Sequence, residues 1–231
     1  MALSANCTGG FPLLRPLAAV RIPESRNKYA MVVVFRVMKQ VIREDSLAKI
    51  YTGTGDDGTT GLIGGRRVSK DSPIVETCGS LDELNAVIGV VRSHELPDRV
   101  DMVLHTIQEH LFAIGAELAT PGGSTGKNDS LGEEEVHGLE KEIDALEDNL
   151  QPLKRFILPG GSPAGAALHL ARTVSRRAER QCVSLSRLEI VNQNILRYIN
   201  RLSDLFFVLA RYVNQQQSMP ETHPGSAGSK D

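Results

Sequence analysis

The chain has 231 residues, 41% of them hydrophobic and 23% charged. These are ordinary globular proportions, which exclude disorder throughout and supply enough apolar surface for one core. A formal net charge of −2 with the two signs interspersed excludes a global field that would draw in nucleic acid or an acidic membrane, so any anion must be held by a local cluster.

The first 43 residues hold seven basic residues (Arg15, Arg21, Arg26, Lys28, Arg36, Lys39 and Arg43) against one acid, Glu24. Residues 1–45 therefore read as an organellar transit segment, the alternative being a disordered basic arm. No run reaches the roughly 18 apolar residues of a spanning helix, and the most apolar stretch, 31–38, is interrupted by Arg36; a soluble protein is expected. The three cysteines, Cys7, Cys78 and Cys182, have no C-x-x-C or metal-ligand spacing, and an odd number suits a reducing compartment.

From about Lys49 the character changes. The stretch 51–65, YTGTGDDGTTGLIGG, cannot hold a helix and predicts a structured loop or short extended arm. Its glycines let backbone N–H groups converge while Thr52, Thr54, Thr59 and Thr60 add hydroxyl donors, an arrangement that suits phosphate. It is not a P-loop, and most glycine-rich loops are only turns.

Five segments then space apolar residues three and four apart, the pattern of helices that each bury one stripe. The first runs through Leu81, Leu84, Ile88 and Val91, with Ser80 and Glu83 at capping-box spacing. The second carries Val100, Leu104, Ile107, Leu111, Ile114 and Leu118, and the acidic third carries Val136, Leu139, Ile143, Leu146 and Leu150 before Pro152. The fourth opens with Ser162 and Pro163 as N-cap and first helical residue. Its seam of Leu168, Ala171, Ser175, Ala178, Cys182 and Leu185 is small enough to require close approach by a backbone or a flat ligand. The fifth carries Ile195, Ile199, Leu202, Phe206, Leu209 and Val213. These repeats predict an all-α, five-helix up-and-down left-handed bundle over residues 46–216, followed by a disordered tail at 217–231.

On the fourth helix, His169, Arg172, Arg176 and Arg180 recur at spacings of three, four and four, sharing one face beside that seam. Aligned cations repel unless acids neutralise them, so the stripe is either a polyanion site or a solvated basic face. On the fifth, Asn200 and Asp204 lie one turn apart, with Arg201 and Asp204 also readable as a surface ion pair.

Five ordered motifs, TGTGDDGTTGL at 52–62, SLDELNAVIG at 80–89, FILPGG at 156–161, ALHLARTVSRRAERQ at 167–181 and NRLSDLFFVLAR at 200–211, closely resemble the PduO-type ATP:cob(I)alamin adenosyltransferases. The resemblance covers about 49–212. It implies transfer of the 5′-deoxyadenosyl group of ATP to the cobalt of a reduced corrinoid, in a homotrimer with sites between subunits. It further implies that Thr52, Gly53, Thr54, Gly55, Thr60 and Lys70 bind the ATP phosphates from one subunit. Arg176, Arg177, Ala178, Glu179, Arg180 and Asn200 would complete the pocket from the next, with His169, Arg201 and Asp204 in support. Asp82 would pair with Arg172 across the interface, and Phe156 would face the corrin ring. Mg²⁺ would arrive through ATP with no direct protein ligand, a flavin reductase would supply electrons, an adenosylcobalamin-dependent enzyme would take the product, and the mitochondrial matrix is the expected compartment. The family usually has Lys or Arg where this chain has Gly53, which keeps a non-catalytic corrinoid or ATP carrier as the rival reading; a purely structural bundle is the other.

Overall fold

The computed structural model describes residues 51–120, 122 and 129–225; the basic arm at 1–45 and the last residues, 226–231, lie outside the described residues. Within these, two short antiparallel strands, β1 (Thr59–Gly61) and β2 (Arg67–Ser69), pair with Thr60 opposite Val68. The glycine-threonine stretch is thus part loop and part hairpin.

Five helices follow: α1 (Pro73–Arg92), α2 (Asp98–Leu118), α3 (Glu133–Glu147), α4 (Pro163–Leu185) and α5 (Gln193–Gln216). All five expected stripes are buried or half-buried, and together they form one continuous core. Helix α4 packs between α1 and α5, α2 lies on α1, and α3 lies on α5. The arrangement is closed by an Arg99–Glu142 ion pair from α2 to α3 at 2.8 Å and a His110–Tyr198 hydrogen bond from α2 to α5 at 2.8 Å.

The small seam of α4 now has its reason. Ala171, Ser175, Ala178 and Cys182 are buried where α1 and α5 flank the helix on both sides, so it is neighbouring helices, not a flat ligand, that come close. A leucine at Ala178 would overpack this contact, at a cost of about 1–3 kcal/mol.

Three boundaries differ from expectation. Helix α1 begins at Pro73 with Ser72 in the N-cap position, while Ser80 is buried inside it. Thr77 and Ser80 extend the buried stripe with small polar residues that an apolar pattern passes over, and Ser72-Pro73 is the true start signal. Helix α3 stops at Glu147, leaving Leu150 packed from the following turn. The third concerns the expected disordered tail. At 217–225 the chain makes defined contacts instead: after α5, Ser218 adopts φ 55°, Met219 N–H bonds to Asn214 O at 2.8 Å and Ser218 N–H to Gln215 O at 3.0 Å. This six-to-one, five-to-two pair of bonds reverses the chain at the helix end, and it requires no apolar period to do so.

Candidate active site

The glycine-threonine loop is tied together by its own polar groups. Asp57 accepts from Thr59 N–H at 2.9 Å and from Thr59 Oγ1 at 2.8 Å. Those bonds, chiefly the hydroxyl, together with nearby Arg67 hold the Asp57 carboxyl below the usual carboxylate range. Arg67 on β2 donates to Thr54 O at 2.6 Å and to Thr59 Oγ1, fastening both ends of the loop. Thr52 and Thr54 share a hydroxyl hydrogen bond of 2.9 Å and remain exposed, as does Lys70; Thr60 is half-buried in β1.

Two glycines have structural reasons. Gly53 has φ +69°, a left-handed conformation in which a side chain is strained. The absence of the usual basic residue there removes a cation but also relieves that strain. At Gly55 a Cβ would lie 3.1 Å from Lys70 Nζ and 3.1 Å from Thr59 O. The missing side chain is therefore what lets the Lys70 ammonium close over the loop.

On α4 the expected stripe divides by depth. His169 is 3% exposed, edge-on to Phe207 at 6.2 Å, and its Nδ1 has no hydrogen-bond partner among the described residues. Burial first, then the Arg172 charge, push its pKa down against the opposing pull of Glu221. His169 is thus a neutral ring turned into the bundle, not a fourth charge on the stripe. Arg172 is half-buried, while Arg176 and Arg180 are exposed. Among the described residues these three arginines form no ion pair within the chain.

Arg172 and Arg176 open on a cleft of about 420 Å³ between α3, α4 and α5, whose other walls include Glu140, Asp144, Arg201, Asp204 and Phe207. Arg201 crosses this space to Glu140 at 3.0 Å and lies 3.8 Å from Asp204. Asn200 donates to Glu179 at 2.7 Å and accepts from Arg201 at 3.0 Å, so Glu179 and Asn200 form one unit across α4 and α5. Arg177 departs from this group: one residue on from Arg176 it turns to α1 and pairs with Glu83. Ala178 is fully buried in the seam, so only its backbone could meet a ligand.

No hydrogen bond or ion pair among the described residues joins the loop, or Lys70, to Arg176, Arg180 or Asn200. Asp82 is exposed on α1 and likewise forms no ion pair. Phe156 projects into solvent at 85% exposure, an unusual position for a phenylalanine.

Residue patterning passed over several groups that shape this region. Arg67 has no local sequence signal, because its partners are eight and thirteen residues away. Asn214 plugs the start of α4, accepting from Ser162 N–H at 2.9 Å and Ser162 Oγ at 3.0 Å and donating to Gly160 O at 2.9 Å. A Cβ at Gly161 would lie 2.3 Å, and one at Gly165 2.1 Å, from the Asn214 amide. The glycines of the PGGSPAG run were the available clue.

Arg176 and Arg180, exposed and without ion-pair partners among the described residues, stand with half-buried Arg172 beside the Glu179–Asn200 pair on a five-helix bundle, an arrangement that suits an anion. The chain belongs to the cobalamin adenosyltransferase family, whose model matches residues 50–213. It is 48% identical over 176 residues to the corrinoid adenosyltransferase of Bacillus subtilis, covering 74% of this chain and 89% of that protein. A corrinoid adenosyltransferase of Citrobacter freundii is 43% identical over 164 residues, covering 71% and 93%. Among solved structures, a variant PduO-type ATP:corrinoid adenosyltransferase from Lactobacillus reuteri, complexed with cobalamin and ATP, superposes with TM-score 0.71 at 41% identity, covering 76% of this chain and 98% of that one.

Proposed function

We propose that this chain transfers the 5′-deoxyadenosyl group of ATP to the cobalt of cob(I)alamin, releasing triphosphate. The observation that carries the reading is the set of arginines at 172, 176 and 180, which form no ion pair among the described residues on the bundle of an adenosyltransferase family. The relative from Lactobacillus reuteri was solved with cobalamin and ATP bound.

The chemistry asks little covalent work of the protein. The reduced cobalt donates its electron pair to the 5′-carbon, the Co–C bond forms, and the C5′–O bond breaks with its electrons leaving on triphosphate. What the protein must supply is alignment and a positive surround for charge growing on the leaving group. Arg176 and Arg180, Lys70 and the N–H groups of residues 52–55 are suited to that task, with Thr52, Thr54 and Thr60 adding hydroxyl donors. Among the described residues no bond joins the loop to the arginine row, which favours a site completed by an adjacent subunit of a homotrimer. In such an assembly Asp82 would pair with Arg172, whose Nε is buried without a hydrogen-bond partner among the described residues.

Mg²⁺ fits as the counter-ion of the ATP phosphates. The exposed Thr52 and Thr54 hydroxyls leave the loop open to an ion that arrives on ATP, its coordination completed by phosphate and water with no direct protein ligand. Phe156 would lie against the corrin and exclude water from the cobalt face, favouring the reduced state. A flavin reductase as electron source, an adenosylcobalamin-dependent enzyme as recipient and the mitochondrial matrix as compartment complete the reading. Support for the last is the basic composition of residues 1–45.

The test is anaerobic incubation with ATP, Mg²⁺ and chemically reduced cobalamin. Appearance of the adenosylcobalamin spectrum is expected. A flat trace from folded protein that still binds ATP and corrinoid would replace this reading with the carrier, for which the missing cation at Gly53 is the favouring observation.

A further inference from the structure

The segment between α3 and α4 carries Phe156 yet has no regular structure of its own, and its backbone is held almost entirely by the C-terminal end of the chain. The Phe156 carbonyl lies 2.9 Å from His223 Nδ1. A carbonyl only accepts, so this ring nitrogen carries the proton. Two residues on, Leu158 N–H donates to Thr222 O at 2.8 Å. Upstream, Arg211 of α5 is 6% exposed and donates to Gln151 O at 2.8 Å while its Nε binds Glu221 at 2.6 Å. Downstream, Asn214 holds Gly160 and Ser162.

The Phe156 segment is thereby tied at both ends to α5 and at its middle to Thr222 and His223, while Glu221 holds the Arg211 side chain that binds the upstream end. The reversal at Ser218 is what brings that strand of tail back across it. These tail residues lie beyond the 50–213 match to the family model.

We propose that residues 218–223 are a strap that positions the Phe156 segment for the corrinoid, with His223 and Glu221 as positioning residues. An exposed ring on an irregular segment would otherwise lose much of its freedom when a corrin settles on it. Fixing the backbone beforehand removes that ordering cost from the binding step. Among the described residues no hydrogen bond or ion pair joins residues 218–222 to the loop at 52–60 or to Arg176 and Arg180, so the effect is expected to fall on the corrinoid and to spare ATP. The inference rests on Phe156 as the corrin-facing residue.

The test uses the full chain, a chain ending at Gln217, His223→Ala, His223→Asn and, as reference, Phe156→Ala. Amide exchange at Leu158 is measured first. Steady-state kinetics with chemically reduced cobalamin and with ATP follow. The strap predicts faster Leu158 exchange in the shortened chain. It also predicts a KM for cob(I)alamin raised about three- to tenfold in His223→Ala, the effect of one lost hydrogen bond, with the KM for ATP unchanged within about twofold. His223→Asn, whose amide nitrogen can stand where Nδ1 stood, should restore most of the corrinoid affinity. Unchanged Leu158 exchange in the shortened chain overturns the strap as a physical contact. Faster exchange with an unchanged corrinoid KM, while Phe156→Ala raises that KM, overturns its role in positioning. If Phe156→Ala also leaves the corrinoid KM unchanged, the corrin-facing reading fails, and the positioning role fails with it.

Discussion

Replacing Arg176 by alanine separates a phosphate-binding row from a solvated basic face. The side chain is exposed on α4, lines the cleft beside Arg172 and forms no ion pair among the described residues. Truncation therefore removes no hydrogen bond or ion pair among the described residues, and stability should change by no more than about 0.5 kcal/mol, the usual surface value. If the guanidinium binds the departing triphosphate, the lost charged hydrogen bond is worth about 1.5–3 kcal/mol. At about 1.4 kcal/mol per decade, the rate with ATP should fall by one to two decades. Arg176→Lys should recover only part of this, because an ammonium cannot reproduce the two-pronged guanidinium contact. The assay is steady-state turnover at saturating cob(I)alamin, with thermal unfolding of the same preparations. Near-normal turnover and ATP affinity in Arg176→Ala, at unchanged stability, would remove this residue and the row it belongs to from the active site.

Gly55→Ala should push Lys70 off the loop, since the new methyl would sit 3.1 Å from its Nζ; ATP titration should show weaker binding, and an unchanged affinity would separate Lys70 from the phosphate site. Asn214→Ala strands buried Ser162 and the half-buried Gly160 carbonyl, so it should cost about 2–4 kcal/mol and lower Tm by roughly 5–15 °C, read by calorimetry. His110 is pushed to a low pKa by burial, against Glu135 and Glu109, and His169 by burial and Arg172. Both are neutral in the fold, so their contribution is complete above the ordinary histidine pKa of about 6.5 and is lost as pH falls below it, because the unfolded chain takes up protons first. Urea midpoints measured from pH 7.5 to 5 should decline, and less steeply in His110→Gln. Asp82→Asn and Arg172→Gln should be non-additive in a double-mutant cycle on assembly and activity; strict additivity would show that the two do not meet.

The helices were legible because heptad-like burial is written directly in residue order: every stripe residue of α5 named from the sequence is fully buried. The start of α1 was obscured where Thr77 and Ser80 fill core positions with polar atoms. The Ser162-Pro163 cap was readable, and Ser162 Oγ does accept from Gly165 N–H at 3.0 Å. The arginine row was visible as spacing, but spacing cannot report depth; only packing against Phe207 takes His169 out of it. Arg177 was never part of that spacing and entered the site only by resemblance; within the chain it turns toward α1 and pairs with Glu83. The strap was illegible because its bonds join positions about 60 residues apart through backbone carbonyls, which carry no residue signature.

The central claim is a direct displacement in which triphosphate leaves as one unit, and product stoichiometry tests it. In a single anaerobic turnover with excess enzyme, ATP and chemically reduced cobalamin, adenosylcobalamin is followed by its spectrum and the phosphate products are separated by ion exchange. One triphosphate should be released for each adenosylcobalamin formed, at matching rates. Nucleotide hydrolysed without a Co–C bond, or bound ATP and corrinoid that remain unreacted, would contradict the account.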